Sequence, residues 1–176
     1  FELVTPDGQA TVDFPLNGRH NILNALAAAA VGFSTGMTAA AIADALGTAV
    51  PPPQRGEVLH FKKGFTVVND SYNSNPAALL SMVRTIVDGG MSAKRRIIVA
   101  GEMLELGSDE AAVHTQTGRE IAEVGVDKLI GVRGLAAHLV EGAKDAGLAD
   151  AEFVTDSDAA GDLLLGQIRE DDLVLV

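Results

Sequence analysis

The chain reads as an α/β protein: a mostly parallel sheet with helices on both faces, preceded by a hairpin and two helices. Three observations carry that reading. From Phe65 to Val176, short aliphatic runs alternate with amphipathic runs of helical length, the pattern of successive β-α-β units with right-handed crossovers. Of the 176 residues, 47% are hydrophobic but only 4% aromatic, so the core is expected to be aliphatic and alanine-rich. A polar turn, Asn69-Asp70-Ser71-Tyr72-Asn73-Ser74-Asn75-Pro76, follows the first aliphatic run of the series. It stands at the strand's carboxyl end, where open α/β sheets hold their ligands.

The elements follow in order. Phe1 to Val4 and Ala10 to Leu16 flank Pro6-Asp7-Gly8, a hairpin signal with its turn residues in place. A helix opens at Asn17-Gly18-Arg19-His20-Asn21-Ile22-Leu23-Asn24 and continues to about Val31. At about 100° per residue, His20, Asn21 and Asn24 share one face, and Ile22, Leu23, Leu26 and Ala30 lie opposite. The aliphatic stripe is expected to be the buried one. An Asn amide offers a donor and an acceptor together, as an adenine edge requires; a solvated capping turn gathers the same residue types. A second small helix covers Ala39 to Leu46. Pro51-Pro52-Pro53 has fixed φ and no amide donors, so it forms a stiff connector between 1–50 and 54–176. Arg55 follows, with an edge-strand signal in Glu57-Val58-Leu59 and Phe61. Its guanidinium could clamp a phosphate with two hydrogen bonds, or pair with Glu57 on the surface. The alternating series then predicts strands at 65–69, 96–100, 127–132, 151–154 and 172–176. Helices are predicted at 76–88, 109–124, 134–146 and 157–168.

Two loops of that series are candidate sites. In the turn 69–76, Ser74 or Asn75 before Pro76 also makes an ordinary helix cap. The loop Gly101-Glu102-Met103-Leu104-Glu105-Leu106-Gly107 follows strand 96–100. Its carboxylates, Glu102 and Glu105, could bind a cation or an amine. They could equally lead into a helix capped at Ser108, with Asp109 and Glu110 on its dipole. His114 sits within that helix, where a histidine is more often structural than catalytic.

Several classes are excluded. With no cysteine there is no disulfide framework, thiolate zinc site or cysteine catalysis. The apolar stretch Ala25 to Gly32 is far shorter than the roughly 20 residues a bilayer needs, so no membrane contact is expected and the chain reads as cytoplasmic. A net charge of -11 argues against a nucleic-acid surface. No Gly-x-Gly-x-x-Gly follows a strand and no Walker A loop occurs, so the chain carries neither nucleotide fingerprint. Strand-like runs stand at both ends, Phe1 to Val4 and Leu173 to Val176, which reads as an internal stretch of a longer protein.

Four motifs stand in one order over essentially the whole chain. They are Gly18-Arg19-His20-Asn21-x-x-Asn24 with its alanine-rich continuation; Arg55 after the prolines; Asp70-Ser71-Tyr72-Asn73-x-Asn75-Pro76; and Gly101-x-Met103-x-Glu105-Leu106-Gly107. Together they resemble the Mur ligase family, in the type that joins D-alanyl-D-alanine to UDP-N-acetylmuramoyl-tripeptide. His114 matches a histidine that usually follows the Glu-Leu-Gly loop there. The resemblance implies an ATP-dependent amide ligase of peptidoglycan synthesis, and so of cell-wall biogenesis, cell shape and division, working through an acyl phosphate. Residues 1–50 would end a central ATP-binding domain, and 54–176 would form most of a Rossmann-like C-terminal domain, in a monomeric enzyme. Its Mg2+ ligands would lie mostly outside this stretch.

By the same resemblance Asn21 and Asn24 would face adenine, Asp70 the ribose hydroxyls, and Arg55 the phosphates or their hinge. His20, Tyr72, Asn73, Asn75, Glu102, Glu105 and His114 would line the cleft or the substrate. No residue here would be catalytic, and the stretch alone would be inactive. The P-loop, the magnesium ligands and the UDP-binding domain are absent from it, as is the Lys-Gly-Ser-Arg loop expected after Val176. Glu102 stands where the family usually has Asp, and the extra methylene shifts its carboxylate from the place the shorter side chain would give it. A sister ligase adding a single amino acid, or a folylpolyglutamate synthase, shares the scaffold; the Ser-Tyr-Asn-x-Asn-Pro loop fits the dipeptide-adding type better. A non-catalytic nucleotide- or partner-binding module is the reading from outside the ligases.

Overall fold

The computed structural model describes residues 1–16, 18–50 and 52–176. Asn17, Pro51 and the side chains of Arg19 and His20 lie outside the description, and with them the reading of His20 as a cleft residue. The chain forms two compact units, Phe1–Pro52 and Pro53–Val176.

In the first unit an antiparallel hairpin pairs β1 (Glu2–Thr5) with β2 (Gly8–Thr11), placing Leu3 opposite Ala10. The second strand stops at Thr11 rather than reaching Leu16 as expected. Val12 still pairs with Phe1, its amide donating to the Phe1 carbonyl at 2.8 Å, and the hairpin's pairing ends there. Two helices follow, α1 (Arg19–Ser34) and α2 (Ala39–Gly47), the latter capped by Thr38, whose Oγ1 accepts from the Ala41 amide at 3.2 Å. Leu3, Val12, Ala29, Ile42 and Ala43 form the core. The buried stripe of α1 is therefore not the predicted one. Ala25 and Ala29 are inside, whereas Leu23 is 61% and Leu26 47% exposed, and Ala30 is exposed too. The reason is space. A Cβ added to Gly32 would sit 3.1 Å from Ile42 Cγ1, so the seam takes its volume from α2 and admits only small residues from α1.

In the second unit the described strands form a six-stranded sheet in the order β3-β4-β8-β5-β6-β7. They are β3 (Glu57–His60), β4 (Thr66–Asn69), β5 (Arg95–Gly101), β6 (Lys128–Val132), β7 (Ala151–Val154) and β8 (Asp172–Leu175). β3 runs antiparallel at one edge and every other pairing is parallel. Strand bounds agree with the sequence reading to within a residue or two. Helices α3 (Pro76–Asp88), α4 (Glu110–Val124) and α5 (Ala136–Asp145) cover one face, and α6 (Ser157–Gln167) the other. Strand alternation builds both layers: Ile98 and Ala100 of β5 join the first core, while Ile97 and Val99 pack toward α6.

Two glycines set the spacing of α4 and α5. A Cβ on Gly118 would collide with the Leu139 carbonyl, and one on Gly142 with the Thr115 carbonyl. Buried charges are paired at the strands' amino ends. Arg95 Nε donates to Asp172 Oδ1 at 2.9 Å, and the Arg169 amide to Oδ2 at 2.7 Å. Burial pushes the Asp172 carboxyl up, but these donors outweigh it and hold it below its ordinary value. Lys128 lies between Asp150, at 2.6 Å, and Glu152. Burial there pulls the ammonium down, and the two carboxylates more than reverse it, raising Lys128 above its ordinary value. This end of the sheet is closed by ion pairs; the loops that could hold a ligand stand at the other.

Candidate functional site

The last strand, β8, lies between β4 and β5, so the loops leaving those two strands stand on either side of its end. There, at the carboxyl ends of β4, β5, β6 and β8, is a cavity of about 500 Å³. Val99, Ala100, Leu175, Met82 and Leu164 line it with apolar surface; Asp70, Ser71, Tyr72, Asn73, Ser74 and Glu102 supply its polar groups.

The β4–α3 loop is held by its own backbone. The Asp70 amide donates to the Val176 carbonyl at 2.7 Å, and the Val176 amide to the Val68 carbonyl at 3.0 Å, carrying the β4–β8 pairing past both strand ends. Asn69 Oδ1 accepts from the Ser71 amide at 3.3 Å and from its hydroxyl at 2.7 Å, closing a local turn. Asn75 is the helix cap: its Oδ1 accepts from the Ala78 amide at 2.9 Å, and Pro76 begins α3. Asn75 therefore serves the helix rather than lining the cavity, while its neighbour Ser74 does line it. Tyr72 is 64% exposed and carries Arg55 on its ring, with the guanidinium carbon 4.3 Å from the centroid. The Tyr72 amide also donates to the Gln54 carbonyl at 3.2 Å. Arg55 thus packs on Tyr72, and the alternative pairing with Glu57 is not formed.

The loop after β5 is fixed from two sides. The Glu102 side chain is 19% exposed, and its Oε1 accepts from the Leu135 amide at 3.0 Å, with Oε2 3.7 Å from Arg133 Nε. Arg133 and Gly134 have φ of 66° and 51°, and a Cβ on Gly134 would run into the Glu102 carboxylate. The negative charge of Glu102 is thus turned toward the start of α5 and Arg133. From behind, buried His114 holds the same loop: its Nε2 accepts from the Met103 amide at 3.0 Å, and its Nδ1–H donates to the Glu110 carbonyl at 2.7 Å. These bonds fix the tautomer. Both nitrogens of His114 are engaged inside the protein, so it supports the loop and is not among the residues around this cavity. Glu105 is exposed, with φ of 62°, and is not among the residues around this cavity. Among the described residues no cluster of three or more His, Asp or Glu side chains could hold a metal ion, and no helix is long and apolar enough to cross a membrane.

Asn21 and Asn24 belong to the first unit, on the opening turns of α1, where Asn24 Nδ2 donates to Asn21 Oδ1 at 3.4 Å. In the second unit the structure brings Asp70, Tyr72, Asn73 and Glu102 around one cavity, with Arg55 against Tyr72. The sequence reading missed the contribution of α6, whose Ser157, Ala160, Gly161 and Leu164 line the cavity, and that of Leu104. A signal for α6 existed only in the strand order, since a helix returning to a central last strand must cross the opposite face.

A sequence profile of the Mur ligase glutamate ligase domain matches residues 54–176. The UDP-N-acetylmuramoyl-tripeptide–D-alanyl-D-alanine ligase of Mycobacterium tuberculosis (strain ATCC 25618 / H37Rv) is 36% identical, over 100% of this chain and 38% of its own length. That of Escherichia coli (strain K12) is 35% identical, over 84% of this chain and 32% of its own. A crystal structure of MurF from Acinetobacter baumannii superposes with a TM-score of 0.81 at 25% identity, covering 99% of this chain and 38% of that one. The chain thus spans about a third of the length of these relatives.

Proposed function

The chain belongs to the Mur ligase family, and from that premise we propose that it is the carboxyl-terminal part of an ATP-dependent amide ligase. The acceptor is UDP-N-acetylmuramoyl-tripeptide and the amine donor D-alanyl-D-alanine, the pair in the names of relatives 35–36% identical to it. Residues 1–50 are the end of the central domain of that ligase, 51–53 a linker, and 54–176 most of its C-terminal domain. The observation that carries the reading is the Asp70 loop, pinned to the end of the central strand and opening on a cavity of about 500 Å³.

Bound ATP supplies the phosphoryl group that activates a carboxylate for attack by an amine. The residues present fit that group. A carboxylate such as Asp70 accepts two ribose hydroxyl bonds. Arg55 makes no ion pair among the described residues, so its donors can meet phosphate oxygens and stabilise charge as it develops there. Glu102 is turned by the Leu135 amide and Arg133 toward the start of α5. Asn21 and Asn24 suit an adenine edge, and the groups that would hold Mg2+ lie mostly outside this chain. Tyr72 and Asn73 line the substrate cleft.

The test is phosphate release by the full-length ligase from ATP and UDP-N-acetylmuramoyl-tripeptide, with D-alanyl-D-alanine or single amino acids as the amine. Release that depends on the dipeptide supports the reading. Equal release with single amino acids assigns the chain to a sister ligase, and none with any amine removes the ligase reading.

A further inference from the structure

Arg55 is an exposed guanidinium with an unusual neighbour. No carboxylate pairs with it among the described residues; it lies instead over the ring of Tyr72, 4.3 Å from centroid to guanidinium carbon. The difference matters chemically. An ion-paired arginine has its donors occupied and must break that pair to take a new anion. A ring contact attracts the cation without a carboxylate, so the guanidinium's N–H donors are not committed to an ion pair.

The backbone around the pair is shaped to hold it. Gln54 and Gly56, on either side of Arg55, have φ of 61° and 72°. A left-handed glutamine is uncommon, and such conformations persist where the surroundings enforce them. The Gln54 carbonyl accepts from the Tyr72 amide at 3.2 Å, so the segment carrying Arg55 is tied to the segment carrying Tyr72 by main chain and side chain together. Tyr72 itself borders the cavity.

We infer that Tyr72 is a positioning residue: its ring pre-orders Arg55 with its donors not committed to an ion pair, ready for the polyphosphate of a nucleoside triphosphate. This rests on the ligase reading above. A flexible arginine loses its side-chain freedom on meeting a phosphate; one already held on a ring has lost part of it beforehand. Exposed cation–π contacts of this kind correspond to about a two- to fivefold change in an equilibrium constant.

The test uses the full-length protein and a non-hydrolysable ATP analogue, with affinity measured by calorimetry. Tyr72→Leu should weaken binding about two- to fivefold, and Tyr72→Phe, which keeps the ring, should restore it. In an Arg55→Ala background Tyr72→Leu should have no further effect. A second readout needs no nucleotide. Tyr72 is the single tyrosine of this chain, which has no tryptophan, so the tyrosine near-ultraviolet circular dichroism of the 176-residue chain reports on it alone. Arg55→Ala should diminish that signal. The inference is overturned if Tyr72→Leu acts equally with and without Arg55, which would mean that the ring meets the ligand itself. It is also overturned if Tyr72→Leu has no effect, or if the tyrosine signal ignores Arg55. A wild-type protein that binds no analogue at all would instead overturn the ligase reading from which it starts.

Discussion

Replacing Glu102 separates a structural clasp from a ligand contact. Its carboxylate accepts from the Leu135 amide at 3.0 Å, lies near Arg133, and is 19% exposed. A hydrogen bond of this charged kind contributes about 1.5–3 kcal/mol. Glu102→Ala removes it and leaves a part-buried amide without its acceptor. For a chain of this size each kcal/mol moves the melting temperature by about 2–4 °C, so a fall of about 3–12 °C is expected. Glu102→Gln keeps an oxygen at the same reach and should lose only about half as much. Glu102→Asp, one methylene short, should behave more like Ala. Gly134 supplies an internal control, because its φ of 51° and its contact with the carboxylate both penalise a side chain there. Gly134→Ala should destabilise the wild type, and the collision part of that loss should vanish with Glu102→Ala, giving a coupling of about 1 kcal/mol or more. Thermal melts of the four-variant cycle, followed by circular dichroism, measure it. If Glu102→Ala and Glu102→Gln melt with the wild type, and the Gly134 penalty is the same in both backgrounds, the clasp is wrong and the side chain is held for a ligand.

Three further outcomes follow from the same structure. His114→Ala strands the buried Met103 amide and opens a cavity, and should destabilise by about 2–4 kcal/mol, read as a lower urea midpoint. Gly118→Ala and Gly142→Ala each drive a methyl into a backbone carbonyl across the α4–α5 seam and should destabilise by about 1–3 kcal/mol, despite alanine's better helix propensity; unchanged or raised melting temperatures would show that the helices can part freely. Asp172 is held below its ordinary value, so its contribution is present above the unfolded carboxyl value and lost as pH falls through the lower folded one. Stability should therefore decline below about pH 4, and Asp172→Asn, less stable near neutrality, should show a shallower acid decline in urea titrations.

Much of the fold was legible because aliphatic runs such as Arg96 to Ala100 and Leu173 to Val176 are short, rich in Val, Leu and Ile, and separated by helix-length amphipathic stretches. The loops at strand ends were legible for the same reason, and Asp70, Tyr72, Asn73 and Glu102 do share one cavity. What failed was direction. Away from His20, Asn21 and Asn24, helix α1 carries leucines and alanines side by side, so its periodicity could not say that Ala25 and Ala29, rather than Leu23 and Leu26, meet the core. The Asn75 cap was legible from Pro76 beside it, but spacing could not show that His114 points inward to Met103 or that Glu102 turns toward Leu135. Those outcomes depend on which neighbour a strand order brings close, and that order, with β8 between β4 and β5, is a long-range fact.

The Asp70 loop is proposed to receive the ribose of a nucleotide, and one comparison of affinities tests it. The affinities of the full-length protein for ATP and for its 2′- and 3′-deoxy forms would be measured in wild type and Asp70→Ala. A carboxylate bonded to both hydroxyls predicts that the wild type prefers ATP, that Asp70→Ala binds ATP about ten- to a hundredfold more weakly, and that the variant no longer distinguishes the deoxy forms. An Asp70→Ala protein that binds ATP as tightly as the wild type and still discriminates among them would contradict the account.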